Sequence, residues 1–122
     1  ADAPPGFPLL RVADSARAVN DLAVAGRNRY GGALIAVTGT VGKSTTREMI
    51  RHVLSRQAET FGYTGNFNTY FGMALCMAQL NPKAAFAVFE VAMSALYRTE
   101  NPVAKRLRPN VAIITAIRIW TR

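Results

Sequence analysis

Apolar and polar positions follow two different spacings along this chain, and the switches between them mark its elements. Residues 33–39, "ALIAVTG", are a short apolar run with β-branched members, bounded by glycines. That pattern predicts a strand buried on both faces. "AAFAVFEVAM" (84–93) repeats it with one acid in its middle, and "NVAIITAI" (110–117) is a third clear strand. Between them the spacing turns helical: Met49, Ile50, Val53 and Leu54 fall on one stripe, with Arg47, Arg51 and His52 on the polar side. "YFGMALCMAQL" (70–80) is apolar nearly all round, which predicts a buried helix stopped by Asn81-Pro82. Earlier, Asp14 is placed to cap a helix that presents Val19, Leu22 and Ala23 on one face and ends at Gly31-Gly32. "PLLRVA" (8–13) reads as a short strand, and "ETFGYTGNFNT" (59–69) as a short strand running into a polar loop. Asn101-Pro102 has the cap-then-proline pattern of a helix start, and Pro109 closes that helix. Strands alternating with helices imply βαβ units with right-handed crossovers. The expected fold is α/β, a mostly parallel sheet with helices on both faces. Residues 1–32 are expected to be a lead-in of strand and helix, and 33–122 the first half of the domain that follows.

Composition narrows the reading. A chain of 122 residues is one domain or a piece of one, and half of it is hydrophobic, which supplies a core and argues against disorder. No stretch approaches the ~18 apolar residues of a membrane span. The start, "ADAPPGFP", has neither the charged nor the apolar region of a signal peptide. Cys76 is the only cysteine, so no internal disulfide forms; a buried thiol in a reducing cytoplasm is expected. The net charge is +8, with Arg98, Lys105, Arg106, Arg108, Arg118 and Arg122 set against the single acid Glu100 near the end. No basic motif interleaved with aromatics accompanies that charge, so a solvated positive surface is expected, with no nucleic-acid partner.

The candidate chemistry lies in "VTGTVGKSTTREMI" (37–50). A phosphate loop follows a strand and opens a helix, and this stretch does both. The common pattern G-x-x-x-x-G-K-[ST] would put its first glycine at Val37, so this is a shortened G-x-x-G-K-S form. The backbone N–H groups of Thr40, Val41, Gly42, Lys43 and Ser44 are expected to point at phosphate oxygens, helped by the helix N-terminus. Gly39 and Gly42 permit the turn and the close approach. Lys43 supplies a cation to the β- and γ-phosphates, and Ser44 a hydroxyl to Mg²⁺. A capped helix after a glycine turn explains the glycines but not the Gly-Lys-Ser-Thr-Thr run. Glu90 sits inside the apolar "AFAVFEVAM", where an acid needs compensation. At a strand end beside the loop it is a candidate Mg²⁺ ligand, direct or through water. The plainer alternative is an exposed glutamate paired with an arginine. His52 reads as a surface helix residue rather than a ligand.

With these stretches in view, the chain resembles the central domain of the Mur ligase family. "VTGTVGKSTTREMI" is similar to the family's "TGTNGKTT" loop. "YTGNFNTYFGMAL", "FAVFEVAMS" and "RPNVAIITAI" resemble three further family stretches, in the same order, closest to the D-alanyl-D-alanine-adding type. "RVADSARAVNDLAVAGRNRY" is like the segment leading into that domain, so the likeness covers about residues 11–117. The resemblance implies the first half of a P-loop ATPase domain in a cytoplasmic enzyme. ATP would phosphorylate a substrate carboxylate, and an amine from an amino acid or peptide would attack the acyl phosphate. By position, Lys43 binds phosphate, Ser44 and Glu90 serve Mg²⁺, Thr45 supports the loop, and Asn66 and Asn68 face the substrate or the triphosphate. Val41, "EVAMSAL" and the missing proline in "FNTYFGMAL" depart from the family pattern and leave the substrate open. Poly-γ-glutamate, capsule-amide and cyanophycin relatives share the loop. The resemblance implies that the family's second-metal histidine, modified lysine, adenine contacts and flanking domains fall outside these residues, so that the isolated chain is inactive. Two other readings remain: a partitioning-type P-loop ATPase, which "VGKSTT" also resembles, and a basic interaction module.

Overall fold

The first helix begins where Asp14 accepts a hydrogen bond from the Arg17 backbone N–H at 3.0 Å, satisfying one free donor of the opening turn. The computed structural model describes residues 4–65, 67–92 and 102–117. They form helices α1 (Ser15–Arg29), α2 (Lys43–Leu54), α3 (Tyr70–Ala78) and α4 (Pro102–Leu107). The strands are β1 (Ala33–Thr38), β2 (Thr60–Phe61), β3 (Phe86–Glu90) and β4 (Val111–Ile114). All pair in parallel in the order β2-β3-β1-β4.

The period of two along β1 sorts its side chains onto two cores. Leu34 and Ala36 join Ala87 and Phe89 of β3 under α1 and α3, with Leu107 completing the layer. Ile35, Val37 and Val88 face the other way, onto Ile50 and Leu54 of α2. Helices therefore cover both faces, as expected for a parallel sheet. The chain leaves β1 over the α2 face toward β2 and returns through α3 and α4 over the other face. β1 is thus the strand from which connections diverge, the place where α/β sheets open a crevice at their carboxyl ends.

Three expectations change. Residues 8–13 form no strand: Leu9, Leu10 and Val12 are exposed. An isolated extended segment has no ladder to satisfy it, and Pro8 lacks a donor. The α2 stripe is only half buried, because Met49 and Val53 lie on the solvent side of the contact made by Ile50 and Leu54. On α1, Val19 and Ala23 pack inward while Leu22 is exposed. Pro102 opens α4; Asn101, Arg98, Glu100, Arg118 and Arg122 lie outside the described residues.

Candidate phosphate and metal site

Gly39 leaves β1 at φ 136° and Gly42 enters α2 at φ 83°, both left-handed values that a side chain rarely adopts. At Gly39 there is no room for one: a Cβ would lie 2.3 Å from the Thr115 hydroxyl oxygen. Thr115 follows β4 and fastens the loop from the other side, its hydroxyl donating to the Thr38 carbonyl at 3.1 Å and lying 2.5 Å from the Val41 carbonyl oxygen. The Thr40 N–H donates to the Ala116 carbonyl at 2.9 Å. That corrects one expectation: the Thr40 amide is spent on bracing the loop rather than aimed at a ligand.

Beyond Thr40 the backbone donors are free. Among the described residues the N–H groups of Val41, Gly42, Lys43, Ser44 and Thr45 have no acceptor; the first helical bond runs from Thr46 to the Gly42 carbonyl. The N-cap is a glycine without a side-chain cap, and no acid stands in the first turn of α2. The first turn of α2 therefore supplies no anion of its own to its positive end. The Lys43 ammonium donates to the Gly39 carbonyl at 3.0 Å, which holds it over the loop.

Glu90 ends β3, in register with Val37 of β1, so pairing alone sets it beside the loop. It is 2% exposed. Its Oε2 accepts the Ser44 hydroxyl at 2.7 Å, and its Oε1 accepts the Asn68 side-chain amide at 2.9 Å. A serine that gives its proton to a carboxylate turns its lone pairs elsewhere, toward any cation that approaches. The two groups offer oxygen ligands, the type that hard divalent cations select. Among the described residues there is no cluster of three or more histidine, cysteine or acidic side chains, so protein ligands alone do not surround a metal here. Thr45 is exposed at the loop's end, the half-buried Asn68 donates its side-chain amide to Glu90, and Asn66 lies outside the described residues. His52 is exposed.

Its spacing puts Arg47 on the polar face of α2, and the structure overturns that. It is 6% exposed and lies 3.6 Å from Glu90 Oε2. Its charge is balanced inside, beside Glu48 and over the Tyr63 ring at 4.9 Å. Burial raises the Glu48 carboxyl, but the hydrogen bond and charge of Arg51, with those of Arg47, outweigh it and hold the group below its ordinary value. Tyr63 is the other site residue that sequence reasoning missed. Its hydroxyl accepts the Glu90 N–H at 2.9 Å and donates to the Glu90 carbonyl at 3.3 Å. Burial holds its phenol above the ordinary value. The only sequence signal for either was a spacing: Arg47 stands three residues after Ser44 and so shares its helix face.

The family model of the Mur ligase middle domain matches residues 37–119. A UDP-N-acetylmuramoyl-tripeptide–D-alanyl-D-alanine ligase of Bacillus subtilis is 36% identical over 115 residues, which are 93% of this chain and 25% of that protein. The enzyme of the same name from Rickettsia prowazekii is 31% identical over 110 residues, 89% of this chain and 24% of its own length. The crystal structure of MurF from Acinetobacter baumannii superposes with a TM-score of 0.75 at 33% identity, covering 86% of this chain and 23% of that one. The chain thus spans about a quarter of the length of these relatives. These matches favour neither a partitioning ATPase nor a basic interaction module. With a family model matching residues 37–119 and a parallel α/β fold that superposes on a solved MurF at 33% identity, the chain belongs to the Mur ligase family, within its middle domain.

Proposed function

We propose that this chain is the nucleotide-binding part of an ATP-dependent carboxylate–amine ligase of the cytoplasm. The observation that carries the reading is the row of backbone N–H groups from Val41 to Thr45 without acceptors among the described residues, beside the Lys43 ammonium and the Ser44–Glu90 pair. Five donors converging on a helix N-terminus suit the oxygens of a triphosphate. Gly39 and Gly42 keep the approach clear, and Thr40 braces the loop. Lys43 offers a cation to the β- and γ-phosphates. Ser44 and Glu90 would hold Mg²⁺, and Asn68 holds Glu90. When bound, Mg²⁺ neutralises phosphate charge so that an anionic carboxylate can approach. The chain's own share of the work is to bind, orient and neutralise, which is most of what phosphoryl transfer requires.

Two matched relatives are named for joining a UDP-N-acetylmuramoyl-tripeptide to D-alanyl-D-alanine. For the present site the proposal is a peptide-type carboxylate, activated as an acyl phosphate, and the amine of an amino acid or peptide.

Calorimetric titration with Mg²⁺ and AMP-PNP tests the site. The 122-residue chain is expected to bind, and Lys43→Ala to bind about 10- to 150-fold more weakly, the loss of one charge-assisted contact worth ~1.5–3 kcal/mol. The melting temperature should stay put, because Lys43 is only partly buried and makes one local bond. Equal affinity of the two proteins, or no binding by the unaltered chain, overturns the reading.

A further inference from the structure

Arg47 is a buried charge with an unusual set of partners. It stands one helical turn after Ser44, on the helix that the phosphate loop opens. Its Nε and Nη2 engage the Glu48 carboxylate at 3.1 and 3.0 Å. Its Nη1 donates to the Gly65 carbonyl at 3.2 Å and lies 3.6 Å from Glu90 Oε2. Its carbon centre sits over the Tyr63 ring at 4.9 Å. One guanidinium thus reaches three separate segments: α2, the loop after β2, and the end of β3. Tyr63, in turn, clamps the Glu90 backbone through both its N–H and its carbonyl.

These contacts divide the handling of Glu90. Ser44 and Asn68 set the direction of its carboxylate through hydrogen bonds of 2.7 and 2.9 Å. Arg47, at 3.6 Å, supplies charge rather than direction. An anion 2% exposed and bonded only to neutral donors would be drawn toward water, since burial of an unpaired charge costs several kcal/mol. The guanidinium removes that drive and fastens the Tyr63–Gly65 segment against it. A lysine cannot reproduce the arrangement, because its ammonium is a single point of charge without the planar fork that reaches Glu48, Gly65 and Glu90 together.

We infer that Arg47 is a positioning residue: it holds Glu90 beside Ser44 in the arrangement through which a divalent cation on the nucleotide is bound. The inference rests on the phosphate-loop reading above. Supports of this kind, one shell behind a metal's ligands, are worth about 10- to 100-fold in metal affinity.

The test is AMP-PNP titration of the 122-residue chain, Arg47→Met and Arg47→Lys, each with MgCl₂ and again with EDTA. In the unaltered chain Mg²⁺ should tighten binding. In Arg47→Met that gain should fall about 10-fold or more, while affinity in EDTA, set by the loop amides and Lys43, stays within about twofold. Arg47→Lys retains the charge and should lose part of the same gain; if Arg47→Met gives no cooperative melt, the lysine variant is read alone. Without nucleotide, hydrogen exchange at the Glu90 amide, which is bonded to the Tyr63 hydroxyl, should quicken in either variant. Folded variants with the full Mg²⁺ gain overturn the inference and leave the phosphate-loop reading intact. Equal loss with and without Mg²⁺ also overturns it, because Arg47 would then support the loop rather than Glu90. An unaltered chain that binds no AMP-PNP overturns both.

Discussion

At the scale of single residues, burial follows neighbours rather than polarity. Arg47 is 6% exposed while Met49, two residues on, is 64% exposed. The arginine is tolerated inside because Glu48, Glu90 and the Tyr63 ring meet it. The methionine stays outside because the apolar contact of α2 with the sheet is made by Ile50 and Leu54, and Met49 is not part of it. Cys76, in the core beneath α1, shows the same control over chemistry. Burial pushes its thiol from 9.0 up to about 11. At pH 8 that shift leaves roughly 100-fold less thiolate than an ordinary cysteine of the same reference value carries. Iodoacetamide should therefore label the native chain at least ~100-fold more slowly than the urea-unfolded chain at pH 8. The native rate should keep rising with pH beyond 9.0, toward about 11, where the unfolded rate has levelled off. Equal rates, or a native plateau near 9, would show that the thiol is open to water.

At the scale of elements, the contact between α1 and α3 depends on a residue without a side chain. A Cβ on Gly26 would lie 2.1 Å from the Met77 carbonyl oxygen and 3.1 Å from the Ala78 Cα. The neighbour is backbone, which has no rotamer to move into. Gly26→Ala sets two effects against each other. Helix propensity favours alanine by ~1 kcal/mol. Overpacking a rigid contact costs ~1–3 kcal/mol, and at 2.1 Å the clash is severe enough to win. The variant should lose stability in urea, with a midpoint below that of the unaltered chain. Gly31→Ala, with nothing within 4 Å of its Cβ, serves as the neutral control. A midpoint at or above that of the unaltered chain for Gly26→Ala would mean that α1 and α3 can shift apart without loss.

At the scale of the molecule, the order β2-β3-β1-β4 places the candidate phosphate loop after β1 and Glu90 at the end of the adjacent β3. The candidate site is therefore gathered at the carboxyl ends of the two central strands, and what is proposed for it concerns phosphate and cation. Amide formation also requires a carboxylate and an amine held in line with the γ-phosphate, an orientation worth up to ~7–11 kcal/mol. The chain spans about a quarter of the length of the relatives it matches. We expect that these 122 residues by themselves bind nucleotide but form no amide. Mass spectrometry after incubation with ATP, Mg²⁺ and candidate amino acids should find no new amide above a Lys43→Ala control. Turnover above that control would show that the positioning groups lie within these residues after all.

The sequence by itself determined what depends on local order. The apolar run 33–38 makes β1, the Asp14 side chain caps α1, and Gly39 and Gly42 make the turn that opens α2 at Lys43, because turn conformation, capping and free helix N–H groups are properties of a few consecutive residues. It also singled out Glu90, since an acid among apolar neighbours stands out along the chain. Its spacing put Leu22 and Met49 on buried faces that the structure leaves open, and 8–13 in a strand that finds no partner, because periodicity names a face without saying how wide the covering surface is. What only the tertiary structure decided is who meets Glu90. Arg47, Tyr63, Asn68 and Ser44 are 22 to 46 residues away along the chain. They converge because parallel pairing sets Glu90 against Val37 and the α2 crossover lays the loop after β2 over the strand ends. Charge compensation at such a point is a sum over groups from several elements, and no local pattern carries that sum.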